Sequence, residues 1–204
     1  FIDSVDHGRQ LQSASNFDVG SQFIPETFNP TEAGSRIDGV GPNSTSVLHA
    51  LTAKGNVLST ENQMAFWLQP GEKSFGNLAK NTTTLSNHLL KKRVTIGVHG
   101  LPHAIGYDVT FTVPKREHHR YAQFEAVTGY MPPAFSKFWT YDFTKKKLLP
   151  LSDGPGEQSL PVIFSTLDRQ HAMGVWSPAQ PSKGFERAGY GRFRFKEEKV
   201  VKWN

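Results

Sequence analysis

Hydrophobic and polar residues alternate along most of the second half of the chain. In the segment GYDVTFTVP, Tyr107, Val109 and Phe111 fall on one side of an extended backbone, while Asp108 and Thr110 fall on the other. This period of two is typical of an antiparallel strand with one wet face. The segments VTIGVH and YAQFEAVT repeat the alternation and are predicted to form two further strands.

Turn signals divide the rest of the sequence into hairpins and loops. The segments LPVIFST and HAMGVWS, separated by LDRQ, predict one hairpin, and GRFRF followed by VVKW predicts another. Earlier in the chain, STSVLHALTA and MAFWLQP predict strands, whereas residues 15–46 have the Asn, Pro, Gly and Ser content of a long functional loop. The segment NLAKNTTTLSNHLLKKR is the one place where we expect a short helix.

Together these elements predict an all-β fold. We expect an antiparallel two-sheet supersandwich with long loops and at most one or two short helices. A chain of 204 residues fits a single β-sandwich domain spanning residues 1–204. Because the chain begins at Phe1 and ends in the strand-like VVKWN, we leave open that the natural protein extends beyond one or both ends.

Composition narrows the classes of partner. Hydrophobic residues make up 37% of the chain and aromatic residues 12%, which indicates a globular protein. The formal charge of +5 permits attraction to anionic glycans, nucleic acid or acidic surfaces. The cations are dispersed, and the only runs, at 91–93 and 145–147, lie where solvated loops are expected. We therefore predict no nucleic-acid partner, and no apolar run is long enough to predict a membrane partner.

Two features bear on the compartment. The chain has no cysteine, so neither a disulfide nor a thiol contributes to its chemistry. That composition fits a reducing compartment, or a secreted protein large enough to fold without bridges. The triplets Asn43–Thr45 and Asn81–Thr83 match the acceptor pattern for N-glycosylation and favour secretion. We predict a secreted or extracellular protein.

The sequence predicts no metal ion and no cofactor. His99 and His103 have the spacing of ligands on one side of a helix, but the intervening GLP prevents that helix. His118 and His119 follow PKRE and are predicted to be a solvated pair in a turn. Neither a nucleophile elbow, a Walker loop nor a dinucleotide fingerprint is present, which disfavours activated-serine and nucleotide chemistry.

Several polar clusters lie in glycine- and proline-rich contexts instead. Sugar sites combine amide, carboxylate and guanidinium partners for hydroxyl groups with aromatic rings for stacking. For each cluster the alternative is an ordinary turn or the solvent face of a strand. The residues predicted to bind substrate are His7, Arg9, Gln10, Glu32, His99, Trp176 and Arg192.

Three residues are predicted to be catalytic: His171, Glu125 and Tyr190. His171 begins a strand three residues after Asp168, and a histidine beside a carboxylate can act as a general acid or base. Glu125, on the polar side of a well-patterned strand, is the carboxylate expected to lie near His171. Tyr190 is an alternative base.

The motifs DHGRQLQSA, NPTEAGS, FEAVTGYMP, GPGEQ, HAMGVWSP and VVKWN together carry a family resemblance. Over nearly its whole length the chain resembles uncharacterised secreted microbial proteins of the galactose-mutarotase-like β-supersandwich type. The resemblance implies a two-sheet sandwich whose concave sheet binds carbohydrate, a scaffold shared by sugar epimerases, polysaccharide lyases and non-catalytic domains. The histidine-glycine-glycine loop of aldose epimerases is missing, and VHGLPH is only loosely similar to it, so no epimerase residues are transferred.

We therefore predict a carbohydrate-binding or carbohydrate-processing protein that acts on an extracellular poly- or oligosaccharide, neutral or anionic. One alternative is a polysaccharide lyase or epimerase-like enzyme, in which His171 or Tyr190 is the base and Arg192 or Arg9 neutralises a uronate carboxylate. A second alternative is a non-catalytic structural or assembly subunit whose exposed strand edges join copies of the chain. The sequence leaves open whether the protein is catalytic and what its oligomeric state is.

Overall fold

The computed structural model describes residues 11–38, 43–178, 189–195 and 200–203, with the side chain of Val200 left out. His7, Arg9 and Gln10, predicted to bind substrate, lie outside the described residues. The chain divides into two compact units, here called the first unit (Gln12–Val127) and the second unit (Thr128–Asn204 together with Phe1–Leu11). The prediction of an all-β antiparallel fold is confirmed, with open sheets consistent with a sandwich.

The first unit is built on one antiparallel sheet. Its strands follow the order β9-β1-β2-β4-β7-β8, with β3 also paired to β4 and with β5 and β6 forming a separate small hairpin. The strands are β1 (Leu11–Phe17), β2 (Pro30–Thr31), β3 (Val47–Lys54), β4 (Val57–Phe66), β5 (Lys73–Ser74), β6 (Asn77–Leu78), β7 (Leu85–Val98), β8 (Leu101–Thr112) and β9 (Ala122–Met131), the last of which continues into the second unit. A single 3₁₀ turn, Arg36–Asp38, is the only helical segment among the described residues.

The hairpin of β7 and β8 forms the long edge of this sheet. A two-residue turn joins the strands, and both of its residues have positive φ, 53° at His99 and 78° at Gly100. Positive φ at both positions is what a type I′ hairpin turn requires. On β8, Tyr107 and Val109 are half-buried while Asp108 is exposed, so the predicted alternation is confirmed.

The helix predicted over NLAKNTTTLSNHLLKKR is wrong, because this segment contains β6 and most of β7. Ser86, His88 and Leu90 are buried, whereas Asn87 between the first two is exposed, which is a period of two. β7 pairs with β4 on one edge and with β8 on the other. Hydrogen bonding along both edges therefore outweighs the local helix preference of the Leu and Lys residues.

The second unit contains two antiparallel sheets, ordered β12-β15-β16-β9 and β11-β10-β13-β14. Both predicted hairpins, now β13–β14 and β15–β16, are confirmed. The strands are the end of β9, β10 (Lys137–Asp142), β11 (Lys147–Leu151), β12 (Gly156–Gln158), β13 (Val162–Ser165), β14 (Ala172–Val175), β15 (Tyr190–Phe195) and β16 (Val200–Trp203). Phe164 of one sheet packs against Trp203 of the other, with ring centroids 6.3 Å apart.

Close packing against Trp203 explains why position 129 is a glycine. A Cβ atom added to Gly129 would lie 2.2 Å from the Trp203 ring. Since real Cβ atoms do not approach another heavy atom so closely, the indole occupies the space that any other residue at this position would need. Trp203 itself is buried.

The two glycosylation triplets differ in accessibility. Asn43 is exposed, whereas Asn81 is buried and its Nδ2 donates to the carbonyl oxygens of Leu68, at 2.9 Å, and Thr83, at 2.8 Å. A glycan on Asn81 would disrupt these two hydrogen bonds, so of the two triplets only the one at Asn43 is accessible for modification. Among the described residues no helix has the length and apolar character needed to cross a bilayer.

Candidate functional site

His171, the predicted base, is exposed next to the turn between β13 and β14. Its backbone N–H donates to Thr166 Oγ1 at 3.3 Å, but its imidazole makes no hydrogen bond or ion pair within the described chain. The Asp168 carboxylate instead accepts from Thr166 Oγ1, at 2.5 Å, and from the Gln170 N–H, at 3.1 Å. The Thr166 hydroxyl is the main reason that the pKa of Asp168 is lowered. The Asp168 carboxylate therefore stabilises the turn between β13 and β14.

Trp176, Glu125 and His99 occupy three different settings. Trp176 follows β14 and is 63% exposed, as a sugar-stacking residue would be. Glu125 is half-buried on the part of β9 that belongs to the first unit. His99 is exposed at the tip of the β7–β8 hairpin. His171 belongs to the second unit, so its predicted pairing with Glu125 stays a prediction.

Tyr190 and Arg192 are buried side chains of β15 whose polar atoms are already bonded to the chain. The Tyr190 hydroxyl accepts from the Ser177 N–H at 2.8 Å. Arg192 donates from Nε to the Ser152 carbonyl at 3.0 Å, from Nη2 to Ser152 Oγ at 3.0 Å and from Nη1 to Gln158 Oε1 at 2.8 Å. These contacts give both residues a structural role within the second unit.

Glu32 lies in a buried polar cluster of the first unit, which we call the Glu32 cluster and which comprises Ser13, Glu32, Asn62, Lys92 and Tyr107. Its Oε2 accepts from the Ser13 N–H at 3.0 Å, and its Oε1 accepts from Asn62 Nδ2 at 3.1 Å and from Lys92 Nζ. Burial lowers the pKa of Lys92, but its interactions with Glu32 and Tyr107 together outweigh that effect, and the net pKa is raised. Both carboxylate oxygens therefore have N–H donors from the chain.

Tyr107 closes the same cluster. The Lys92 ammonium lies 5.6 Å from the centre of the Tyr107 ring, and the Tyr107 hydroxyl lies 3.5 Å from Ser13 Oγ. Burial is the main cause of the raised pKa of Tyr107. Ser13 Oγ donates to the Ala126 carbonyl at 2.7 Å. Glu32, predicted to bind substrate, is thus held by neighbouring strands of the sheet.

A second polar cluster in the first unit, here called the histidine cluster, comprises His88, Glu117 and His119. His88 points inward from β7, and the other two side chains come from the loop between β8 and β9. Glu117 Oε2 lies 3.2 Å from His88 Nε2 and 3.1 Å from His119 Nε2. One ligand-type atom of each residue lies within 4.8 Å of the other two. This donor set has the composition of a metal-binding site.

Asp18 fixes the loop that carries Glu117 and His119. Its Oδ1 accepts the N–H groups of Arg120 and Tyr121, each at 2.9 Å, and its backbone oxygen lies 2.7 Å from His119 Nδ1. The hydrogen bond from the Tyr121 N–H is the largest of the effects that lower the pKa of Asp18. A carbonyl oxygen can only accept, so Nδ1 of His119 carries a proton and its Nε2 is directed at Glu117.

His88 is the least accessible member of the histidine cluster. Its side chain is 3% exposed, its Nδ1 has no hydrogen-bond partner in the described part of the chain, and its Nε2 lies 3.2 Å from Glu117 Oε2. Burial, with a smaller contribution from the charge of His119, lowers the pKa of His88 to about 4. The Phe17 ring packs on both imidazoles, with centroid distances of 5.0 Å to His88 and 4.6 Å to His119.

The structure corrects the interpretation of the adjacent histidines. His118 is exposed as predicted, but His119 is half-buried, so the prediction of a solvated pair is wrong for His119. Sequence reasoning missed His88 because the segment was interpreted as a helix. The sequence around His88 carries no signal that places this imidazole inside the sheet, because the alternating burial of Ser86, His88 and Leu90 becomes visible only in the structure.

The sheet of the first unit also carries a groove of about 340 Å³ lined mainly by polar residues, here called the polar groove. It crosses β3, β4, β7 and β8, and its walls combine hydroxyl groups, carboxylates and cations. Its polar lining residues include Ser59, Glu61, Lys91, Arg93, Asp108 and Thr110.

The strand register arranges these side chains in cross-strand rows. Arg93 stands opposite Ser59 on one side and Asp108 on the other. Glu61 and Lys91 are opposite each other in the next row and form an ion pair of 3.3 Å. Because alternate residues of a strand share a face, both rows lie on the same face of the sheet.

The other face of this sheet carries exposed apolar residues. Ile96 and Ile105 are cross-strand partners and are 61% and 59% exposed. Leu58, which lies on the same face, is 37% exposed. β8 is the last strand in the sheet order, so its outer edge has no partner strand among the described residues.

Comparison of the sequence with models of known protein families and with curated proteins gives no match. The functional conclusions below therefore rest on the geometry of the side chains.

Proposed function

We propose that the protein binds a poly- or oligosaccharide in the polar groove of the first unit. The observation that carries the proposal is the pair of cross-strand rows, which display hydroxyl, carboxylate and guanidinium groups along one open face. Each sugar hydroxyl both donates and accepts, so it needs this mixture of partners. A volume of about 340 Å³ is within the range of ligand sites and fits a short stretch of an extended chain.

The charges of the groove favour a neutral sugar over a polyanion. Lys91 and Arg93 supply two cations, and Glu61 and Asp108 supply two carboxylates, so the two rows have no net charge. Lys92 also lines the groove, and its charge is paired with Glu32. The formal charge of +5 is distributed over the rest of the chain. A polyanionic glycan would meet both carboxylates, whereas a neutral glycan can accept from the cations and donate to the carboxylates.

The proposal is for binding without a reaction. A lyase needs a base and a cation that converge on a uronate, but Arg192 is bonded to Ser152 and Gln158, and His171 acts on Asp168 only through charge, without a hydrogen bond between them in the described chain. The likeness of the sequence motifs to galactose-mutarotase-like proteins supports carbohydrate as the ligand class and adds no catalytic residue.

A glycan array followed by titration calorimetry tests this proposal. The purified chain is expected to bind a neutral poly- or oligosaccharide, and Arg93→Ala and Asp108→Ala should each weaken binding by about tenfold or more, the effect of losing a charged hydrogen bond. Lys147→Ala, which removes an exposed cation of β11, is the matched control and should bind as the wild type does. An assay for unsaturated uronates on the same glycans should stay negative. Absence of glycan binding, or equal affinities for all four proteins, would contradict the proposal.

The exposed apolar face favours a second candidate function, assembly of copies of this chain. Its occupant would be a second copy that pairs along the free edge of β8 and covers Ile96 and Ile105. Sedimentation velocity should then show a dimer that Ile105→Lys converts to a monomer. A wild-type chain that stays monomeric at high concentration would exclude this candidate and leave the sugar proposal intact.

A further inference from the structure

We propose that His88 Nε2, His119 Nε2 and Glu117 Oε2 bind one divalent transition-metal ion of the Zn²⁺ class. The proposal concerns a site other than the polar groove. His88 and Leu90 lie on the buried face of β7, while Lys91 and Arg93 alternate with them on the groove face. The metal site is therefore independent of the proposed sugar site, and either can fail without the other.

The spacing of the donor atoms fits a tetrahedral ion. Zn²⁺ binds imidazole nitrogen and carboxylate oxygen at 2.0–2.2 Å, which places neighbouring ligands of a tetrahedron about 3.3–3.5 Å apart. Glu117 Oε2 is 3.2 Å from His88 Nε2 and 3.1 Å from His119 Nε2. Both distances lie within a few tenths of an ångström of that spacing, and the ligand atoms of the three residues all lie within 4.8 Å of one another, so the loop that carries Glu117 and His119 would adjust to close the shell.

The buried imidazole of His88 is the independent observation that points to a ligand. Its side chain is 3% exposed, its Nδ1 has no hydrogen-bond partner in the described chain, and its Nε2 faces only the Glu117 carboxylate oxygen, at 3.2 Å, among the contacts of the described residues. A buried polar group without a partner costs about 1–3 kcal/mol, so a side chain in this state needs an explanation. Its Nε2 is directed at the same carboxylate oxygen that faces His119, where one cation would satisfy all three atoms.

The surroundings supply what ligand residues of a metal site usually have. The His119 Nδ1–H donates to the Asp18 carbonyl, so Nε2 is the ring nitrogen that would bind the ion, in place of its present hydrogen bond with Glu117 Oε2. Asp18 is itself held by the N–H groups of Arg120 and Tyr121. Phe17 packs on both imidazoles and keeps water from that side of the cluster.

The donor types select the class of ion. Two imidazoles and one carboxylate suit Zn²⁺ and its neighbours in the first transition row, whereas Ca²⁺ and Mg²⁺ prefer shells made of oxygen. Glu117 is 26% exposed, so the ion would reach solvent on that side. Zinc sites with three protein ligands commonly hold water in the fourth position.

The test uses the untagged full chain, stripped with EDTA and dialysed, and titrated with ZnCl₂ by calorimetry and with CoCl₂ by visible absorption. We expect one ion per chain and the visible bands of tetrahedral Co²⁺. Glu117→Gln and His119→Gln should each weaken binding by more than about 100-fold, the upper end of the effect of losing an outer partner of a ligand. His118→Gln, an exposed neighbour of the cluster, is the matched control and should bind with wild-type affinity.

Thermal unfolding of each variant shows whether it is folded, so that a loss of metal binding can be distinguished from a loss of structure. Glu117 lies on a partly exposed loop, so Glu117→Gln is expected to fold even if a change at His88 does not. A wild-type chain that binds no stoichiometric Zn²⁺ or Co²⁺ would overturn the proposal. So would undiminished affinity in folded Glu117→Gln and His119→Gln, or an equal loss of affinity in His118→Gln.

Discussion

The first unit contains two buried polar clusters that differ in one respect, the number of donors that the chain supplies. In the Glu32 cluster, both carboxylate oxygens accept from Ser13, Asn62 and Lys92. In the histidine cluster, one carboxylate oxygen of Glu117 faces both His88 Nε2 and His119 Nε2, and His88 Nδ1 has no hydrogen-bond partner in the described chain. Both clusters draw their residues from distant parts of the sequence.

The difference separates a structural role from a ligand-binding role. A buried charge that is fully hydrogen-bonded by the chain stabilises one arrangement of the strands and has no capacity left for a ligand. A cluster in which two imidazoles share one carboxylate oxygen, and one of them is buried with a nitrogen that has no partner, has fewer donors than it can use and is stabilised by a cation. We therefore expect the free energy of unfolding to fall when a member of the Glu32 cluster is removed. Through the histidine cluster, by contrast, it should change with pH and with metal ions.

The largest expected effect follows from breaking the Glu32 cluster. Lys92→Met removes the cation that faces the buried Glu32 carboxylate, and the free energy of unfolding should fall by about 3–5 kcal/mol. Urea-induced unfolding measures the change. Lys92→Met combined with Glu32→Gln removes both charges and should recover part of the loss. A single variant as stable as the wild type would show that the ion pair does not hold the strands.

The next effect concerns pH and the histidine cluster. The pKa of His88 is about 4 in the folded chain against a usual value of 6.5, so between these values the unfolded chain binds a proton that the folded chain does not. The metal-free protein should therefore lose stability as pH falls from about 6.5 to about 4, by on the order of 3 kcal/mol from this group.

Unfolding free energies of EDTA-treated protein at a series of pH values measure this loss. His88→Gln removes the titrating group, so the variant should depend less on pH over that interval. If the wild type and His88→Gln show the same slope, the buried imidazole is not the group responsible.

The smallest effect is expected from a change at Ser13, which belongs to the Glu32 cluster but carries no charge. Ser13→Ala removes the hydrogen bond from Ser13 Oγ to the Ala126 carbonyl but keeps the bond from the Ser13 N–H to Glu32. The free energy of unfolding should fall by about 1 kcal/mol, the usual net value of one hydrogen bond. A loss as large as that of Lys92→Met would mean that the hydroxyl, rather than the charge pair, organises the cluster.

The strands could be predicted from the sequence because their signal is local. The alternation of Tyr107, Asp108 and Val109 and the turn LDRQ both lie within a few residues, and the structure confirms the elements they predict. The helix expected around His88 failed because pairing along both edges of β7 is a long-range effect, which local propensity does not contain.

The sites were harder to predict than the strands, since burial of a polar side chain is decided by tertiary packing. Arg192 and Tyr190 have the residue types of a sugar site, yet both are buried with their polar atoms bonded to the chain. His88 and His119 meet only when β7 and the loop before β9 come together, so no spacing motif in the sequence marks them. Residue types that can bind a metal can be counted in a sequence, but which of their atoms lack a hydrogen-bond partner depends on the folded structure.

The most direct test of the contrast between the two clusters is the unfolding free energy of wild type and Glu117→Gln with and without ZnCl₂. At a free Zn²⁺ concentration of 100 times the dissociation constant, the wild type should gain about 2.7 kcal/mol, and Glu117→Gln should gain much less at the same concentration. A wild-type chain whose stability does not change with Zn²⁺ would show that the histidine cluster does not form a metal site.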